Sequence, residues 1–595
     1  MNQHEFFTGQ EFFAYEYFGA HIYGENVTFR IWAPEVRGVA VMGDFNGWTP
    51  EPMIQNGLAG IYEKTLPARA GQYYKYRIYL KDGREIDHCD PYGFGSELRP
   101  GWASRITDMS FDWNDNEFMT NRDKGYNLPV SIYEVHLGSW LKTPEDGWYS
   151  YDEIAPMLID YVKEMGYTHI ELLPLGEHPF DGSWGYQMTG YFCPTSRYGT
   201  AKQLKKLIDL CHENGIYVIT DFVPVHFAVN DYALASLDGV GVYEYPTDAG
   251  NSEWGTKNFN FFRGEVRSFL QSAANFWLSE FHFDGIRMDA ISNCIYWQGD
   301  SNRGVNEGAV NFVRNMNSRL HQLHPGAILI AEDSSNYLKV TAPAEYDGLG
   351  FDYKWDMGWM NDTLEFFRTD PLWRGDHYHK LTFSMMYFYN ELYLLPFSHD
   401  EVVHGKATII QKMWGDYEEK FPQCRALYAY MYTHPGKKLN FMGNDIAQFR
   451  EWDEEKKPDN FLLKYPLHDS FKKYISDLNH IYLTEKSLHE GEFNSANFRW
   501  LQVNDPARVV YAYQRGKGDD RTVTVLNLSG RDHESYELEI DGQKLLPLIN
   551  SDWECYSGKT PECHEPVEIY ENCVKLNLSA MSAVIYKVIE QKDGE

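Results

Sequence analysis

The chain has 595 residues, 43% hydrophobic and 24% charged, an ordinary globular balance that at about 150 residues per domain implies several domains, or fewer if one is a large barrel. With 54 Lys+Arg against 86 Asp+Glu the formal charge is −32, a surface that repels phosphate backbones and anionic lipid. Nucleic-acid and membrane partners are therefore not expected, whereas a neutral polymer meets no such penalty.

The amino terminus, MNQHEFFTGQEFF, lacks the basic region and apolar core of a signal peptide, and no uninterrupted apolar run is long enough to span a bilayer. The eight cysteines contain no CxxC pair and fit reduced thiols in a cytoplasmic enzyme better than a disulfide framework; a monomer is expected. Aromatic residues are plentiful at 16%, which serves either large cores or stacking against sugar rings.

Residues from about 20 to 108 alternate polar and apolar positions in VTFRIWAP, VAVMGDFNGW and YYKYRIYL, with Asn46-Gly47 and Asp82-Gly83 as turn dipeptides. This predicts an N-terminal β-sandwich of roughly seven short strands within a module spanning 1–120. Trp48 in GDFNGW is either a sugar-stacking ring or a core residue.

From Ser131 the pattern becomes strand, loop, helix, repeated. Eight candidate strands fall at 131–137, 169–174, 217–223, 283–289, 327–332, 348–355, 391–399 and 438–443. The helix from Glu265 to Phe281 is the cleanest periodic segment: Val266, Phe269, Leu270, Ala273, Ala274, Trp277, Leu278 and Phe281 share one face. Such alternation gives parallel strands with helical crossovers, and eight of them predict an α/β fold with a closed (β/α)8 barrel over 121–485. The segments from Leu175 to Ala201 and from Phe227 to Gly264 are too long to be mere connectors, and either wall a binding cleft or pack the barrel rim. Beyond about Glu490 short alternating runs predict a second antiparallel sandwich, 486–595, ending in the frayed tail QKDGE.

Reactive groups of such a barrel sit where strands end. The third strand ends in DFVPVH with Asp221 and His226, the fourth in GIRMDA with Arg287 and Asp289, the fifth in AED with Glu332, and the seventh in SHDE with His399 and Asp400. Any one of these is readily a structural ion pair; four strand ends together point to chemistry. Arg287 and Asp289 alternate onto one strand face, so the aspartate is expected to stay ionised. There is no HExxH motif, phosphate loop or cysteine nucleophile context, so neither metal nor cofactor is expected. Paired carboxyl groups suit glycosidic-bond cleavage, with Glu332 placed for the raised pKa of a general acid.

DFVPVH, GIRMDA, ILIAED and LPFSHD resemble, in order and spacing, the four short regions of the α-amylase superfamily. YEVHLGSW (Tyr133 to Trp140), SWGYQMTGYFCPTSRYGT (Ser183 to Thr200), LPFSHDEVVHGK (Leu395 to Lys406) and KLNFMGNDIAQFREW (Lys438 to Trp452) resemble glycogen (1,4-α-glucan) branching enzymes. The resemblance implies that Asp289 is the nucleophile, Glu332 the general acid/base and Asp400 the transition-state stabiliser. It implies that His226, Arg287 and His399 serve the donor subsite, that Asp221 is its structural carboxylate and that Tyr186 stacks on the donor glucose. The first sandwich is similar to the carbohydrate-binding module that precedes such barrels, and the implied partner is an α-glucan polymer such as glycogen or amylose.

Five positions depart from the family pattern: Phe222, Val225, Met188, Asp333 and the GNDI at Gly443 to Ile446. None removes a catalytic group. Three functions remain distinguishable: a glucanotransferase that makes α-1,6 branches, a hydrolase or debranching enzyme on the same machinery, and a glucan-binding protein without catalysis. SHDEVVHGK favours the first, and the intact carboxylates count against the third. Retaining chemistry sets a geometric expectation, with the carboxyl groups of Asp289 and Glu332 about 5–5.5 Å apart.

Overall fold

The protein is described here by a computed structural model covering residues 1–57 and 60–590; the QKDGE tail lies outside these. Eight parallel strands close into a barrel in chain order. They are β1 (Ser131–Val135), β2 (His169–Leu172), β3 (Tyr217–Phe222), β4 (Gly285–Met288), β5 (Ile328–Ala331), β6 (Tyr353–Trp355), β7 (Tyr393–Phe397) and β8 (Lys437–Phe441). Each expected strand is present, and antiparallel sheets precede and follow the barrel. β1, β4, β5, β7 and β8 are buried along their whole length, and β5 (ILIA) and β7 (YLLPF) accordingly read as continuous apolar runs. β6 is shorter than expected. Gly350 has φ +79°, and the N–H groups of Leu349 and Phe351 turn back to the carbonyls of Lys339 and Val340 at 3.0 and 3.2 Å. The chain around 350 is thereby closed into a turn before the strand begins.

By compactness the chain forms two units, Met1–Lys124 with His136–Ile159 and Glu171–Asp352, and Gly125–Val135 with Asp160–Ile170 and Tyr353–Glu595. Among the described residues the first unit begins with nine strands in two antiparallel sheets, rather than roughly seven. The surplus consists of two-residue strands such as Glu51–Pro52 and Ile54–Gln55, too short for any alternation to show. Tyr73–Leu80 alternates strictly, with Tyr74, Tyr76, Ile78 and Leu80 inward. Tyr74 and Tyr76 both donate to Asp90 at 2.8 and 3.0 Å, while burial pushes that carboxyl up to about 6. Trp48 is on the surface, its indole N–H donating to Asp44 at 3.1 Å.

Helix Gly264–Glu280 buries the predicted apolar face, and its polar face as well. Ser268 donates to the Phe6 carbonyl (2.9 Å), Gln271 to Gly9 (3.0 Å), Ser272 to Glu11 (3.2 Å) and Asn275 to Phe12 (2.9 Å). The first residues of the chain thus lie along this helix, with their backbone carbonyls satisfied by its polar side chains. The approach is so close that a Cβ on Gly264 would stand 1.9 Å from the Phe7 carbonyl oxygen. Below β3 and β4, His212 bridges Asp115 (2.8 Å) and Asp284 (2.9 Å), all three side chains fully buried.

The second unit ends in a six-stranded and a two-stranded antiparallel sheet, eight strands from Phe498 to Ile589. Val510, Val523, Val525, Leu538, Leu545, Leu576 and Val584 are among the residues of their common core. Arg374, Arg425 and Arg515, each nearly fully buried, donate to the carbonyls of Leu528 (3.1 Å), Ser551 (2.6 Å) and Thr433 (2.7 Å). These bonds tie the helical part of the unit to its sheets. Among the described residues no helix is long and apolar enough to cross a membrane.

Candidate active site

Strand register builds the first half of the site. Arg287 on β4 lies opposite Asp221 on β3 and Ile330 on β5, so Glu332 stands two residues beyond its direct neighbour. The ladder continues past the strands: Asp289 N–H donates to the Phe222 carbonyl, Glu332 N–H to Met288 and Ile291 N–H to Glu332, at 2.9–3.0 Å. The carboxylates are therefore carried on hydrogen-bonded backbone. Between them, Ala290 adopts the left-handed region at φ +49°, costly for a non-glycine residue, and its N–H donates to Glu332 Oε2 at 3.1 Å.

Arg287, 1% exposed, divides its guanidinium among three acids. Nη1 reaches Asp221 Oδ2 at 2.7 Å and Asp289 Oδ1 at 3.0 Å, and Nη2 reaches Glu332 Oε2 at 2.8 Å. Nη1 also lies 3.1 Å from the Tyr186 hydroxyl, which donates to Asp221. Tyr186 is delivered by a tight turn in which Gly185 has φ +94°, and a Cβ there would meet the Pro174 carbonyl oxygen at 2.3 Å.

Asp289 does not behave as its neighbour Arg287 alone dictates. Burial and the adjacent charge and hydrogen bond of Glu332 push its carboxyl well above the usual carboxylate range, with Arg287 opposing and Asp221 adding to the rise. The one guanidinium, shared among three acids, does not offset that rise.

His226, just past β3, is 3% exposed, and burial pushes its imidazole down to about 4, so the ring is neutral. Among the described residues its buried Nδ1 has no hydrogen-bond partner. Trp254 lies with its ring centroid 4.8 Å from that of His226 and remains 42% exposed. Its loop is held by hydrogen bonds: the Ser252 and Thr256 hydroxyls bond at 2.5 Å, and Glu253 accepts from Asn293, four residues past Asp289, at 3.1 Å.

In the second unit, His399 and Asp400 follow β7 in a short turn, His399–Val402. His399 is buried and Asp400 is 44% exposed, with His399 Nε2 3.9 Å from Asp400 Oδ1. Glu134, in the middle of β1 and fully buried, lies 2.5 Å from His399 Nδ1 and accepts the His399 backbone N–H at 2.8 Å.

Known proteins share this architecture and sequence. Residues 17–93 match carbohydrate-binding module 48 (isoamylase N-terminal domain), residues 145–237 the α-amylase catalytic domain and residues 500–589 the α-amylase C-terminal all-β domain. The chain is 44% identical to the 1,4-alpha-glucan branching enzyme GlgB of Fusobacterium nucleatum, over 93% of its own length and 90% of that protein. It is 40% identical to the enzyme of the same name from Halothermothrix orenii, over 98% of each. The chain belongs to the 1,4-α-glucan branching enzymes. Solved structures share the fold at low identity. A putative α-amylase from Salmonella typhimurium has a TM-score of 0.72 at 18% identity, covering 96% of this chain and 99% of its own. A pullulanase from Anoxybacillus sp. LM18-11, complexed with maltotetraose, has 0.74 at 16%, covering 96% and 87%.

In this branching enzyme the positions that depart from the family pattern are buried. Met188, Phe222 and Val225 are 1–2% exposed, and Asp333, 1% exposed, accepts the Ser335 N–H at 2.9 Å. Asp445 of GNDI accepts from Tyr161 at 2.6 Å, and burial pushes it up to about 6. Sequence reasoning singled out neither Glu134 nor Trp254. The only signal for Glu134 was a charge in the middle of an otherwise apolar strand, and for Trp254 an aromatic inside a long loop.

Proposed function

We propose that this branching enzyme cleaves an α-1,4 glucan chain by a retaining double displacement and passes it to a glucose 6-hydroxyl, forming an α-1,6 branch in glycogen. Asp289 attacks the anomeric carbon as Glu332 gives its proton to the departing O4. The reducing-end fragment leaves, and the transferred chain remains as an ester on Asp289. Glu332, now a carboxylate, takes the proton of the incoming 6-hydroxyl. The C1–O6 bond forms and Asp289 departs as an anion. Asp400, at the end of β7, stabilises the oxocarbenium-like transition states. Tyr186, His226 and His399 hold the donor sugar, and Asp221 and Arg287 hold the carboxylates in place.

The observation that carries this reading is the division of the Arg287 guanidinium among Asp221, Asp289 and Glu332. It brings the proposed nucleophile and the proposed acid onto one guanidinium, at 3.0 and 2.8 Å. We assign residues 1–120 to the carbohydrate-binding module, 121–485 to the catalytic barrel and 486–595 to the C-terminal sandwich. The partner is an α-glucan polymer, with no metal, cofactor, nucleic acid or membrane required. The enzyme works as a monomer in the cytoplasm, a compartment that suits its eight unbonded cysteines.

Incubation with amylose tests the reaction, with reducing ends and 1→6 linkages counted by proton NMR. New 1→6 linkages should outnumber new reducing ends several-fold. A product mixture in which reducing ends dominate makes the protein a hydrolase.

A further inference from the structure

Two of the motifs that carry the family resemblance, YEVHLGSW and KLNFMGNDIAQFREW, hold no residue with a role in the reaction described so far. In the structure both supply side chains to His399. Glu134 turns both its oxygens to that one residue: Oε2 accepts the backbone N–H at 2.8 Å, and Oε1 lies 2.5 Å from Nδ1. Phe441, the last residue of β8, and Trp452 set their rings against the imidazole at centroid distances of 6.0 and 6.2 Å. The Trp452 N–H donates to the Val402 carbonyl at 2.9 Å, closing the chain around the turn that carries Asp400.

A carboxylate buried in a strand is costly, and a well-packed apolar residue of similar volume usually fills such a place at no loss of stability. Its presence here is explained by the direction it imposes. A carboxylate only accepts, so Nδ1 must carry a hydrogen, and the tautomer and ring orientation of His399 follow from its partner. Nε2 is then the nitrogen on the Asp400 side, 3.9 Å from Oδ1.

We propose that Glu134 is a positioning residue for the reaction: it fixes the hydrogen and orientation of the His399 imidazole so that Nε2 meets the glucan, and it anchors the turn that presents Asp400. This rests on the assignment of His399 and Asp400 to the donor subsite above. Glu134→Gln keeps shape and one acceptor oxygen, and that oxygen can still hold the backbone N–H. Its amide then faces Nδ1 with a donor and drives the imidazole into the opposite tautomer.

The test measures total α-1,4 bond breakage on amylose, transfer and hydrolysis together, so it stands apart from the product ratio that tests branching. Glu134→Gln should lower kcat about 100-fold with KM within about threefold of wild type, the scale on which a 1 Å misplacement acts. Added to His399→Ala, the same substitution should change kcat by less than about threefold, because Glu134 acts through His399. An equal loss in both backgrounds, or turnover within threefold of wild type in the single variant, overturns the proposal. Should the variant not fold, the wild type still decides it. Ring 15N shifts of His399, assigned by comparison with His399→Ala, should show a hydrogen-bearing Nδ1, and a pyridine-type Nδ1 overturns the proposal.

Discussion

His212 offers a stability test whose sign and size both come from the structure. The imidazole is fully buried between Asp115 and Asp284, and Asp284 also accepts the Val218 N–H at 2.8 Å, next to the start of β4. Burial alone lowers a histidine, but here the charge of Asp284 and the hydrogen bonds to both carboxylates prevail and push His212 up to about 9. A group that binds its proton more tightly when folded contributes stability that is complete below its ordinary value of 6.5 and is lost as pH rises through about 9. At about 1.4 kcal/mol per tenfold, that rise is worth about 3 kcal/mol. His212→Gln keeps a hydrogen bond and removes the charge, so the variant should be less stable than wild type near pH 6. The gap should narrow by about 3 kcal/mol between pH 6 and pH 9.5. Urea unfolding followed by tryptophan fluorescence across that range measures it. Two stability curves that run parallel from pH 6 to 9.5 would show that His212 is neutral in the fold, and the electrostatic account would be wrong.

Two further outcomes bear on the reaction. Asp289→Asn removes the attacking anion at nearly constant shape, so amylose binding should survive while turnover falls by roughly three or more orders of magnitude; more than a tenth of wild-type activity would mean another group attacks. Trp254 and Phe262 are the large aromatics most exposed between 227 and 262, at 42% and 59%. If this loop walls the acceptor groove, alanine at either position should lower the ratio of 1→6 linkages to new reducing ends. A parallel fall in both products assigns the loop to stability or general binding.

The barrel was legible because its strands are buried on both faces and its helices carry an apolar face, so period and apolar runs mark them without tertiary knowledge. The residues beyond each strand were legible for a related reason: a polar group just past an apolar run is conspicuous. What escaped is what depends on contact across the chain. Glu134 meets His399 from 265 residues away, and no local pattern announces that pairing. The helix Gly264–Glu280 reads as amphipathic, yet Ser268, Gln271, Ser272 and Asn275 are buried against the first residues of the protein. Its polar face matches backbone carbonyls instead of water, and side-chain periodicity cannot distinguish the two. The C-terminal strands Phe498–Gln502, Lys544–Asn550 and Val567–Glu568 were missed because their partly exposed faces blur the alternation.

The ionisation of Asp289 shows why a correct pairwise rule gave an incomplete answer. Arg287 beside Asp289 favours the anion, and on a surface that would be enough. In the site the Arg287 guanidinium is shared among Asp221, Asp289 and Glu332, side chains 0–17% exposed. Burial and the charge of Glu332 outweigh it and push the Asp289 carboxyl well above the usual carboxylate range. Asp221, which touches no reacting atom, contributes by adding its charge to the excess. The surplus of acid over base around Arg287 is thus what raises Asp289: a site with one carboxylate per cation would leave the pairwise rule intact.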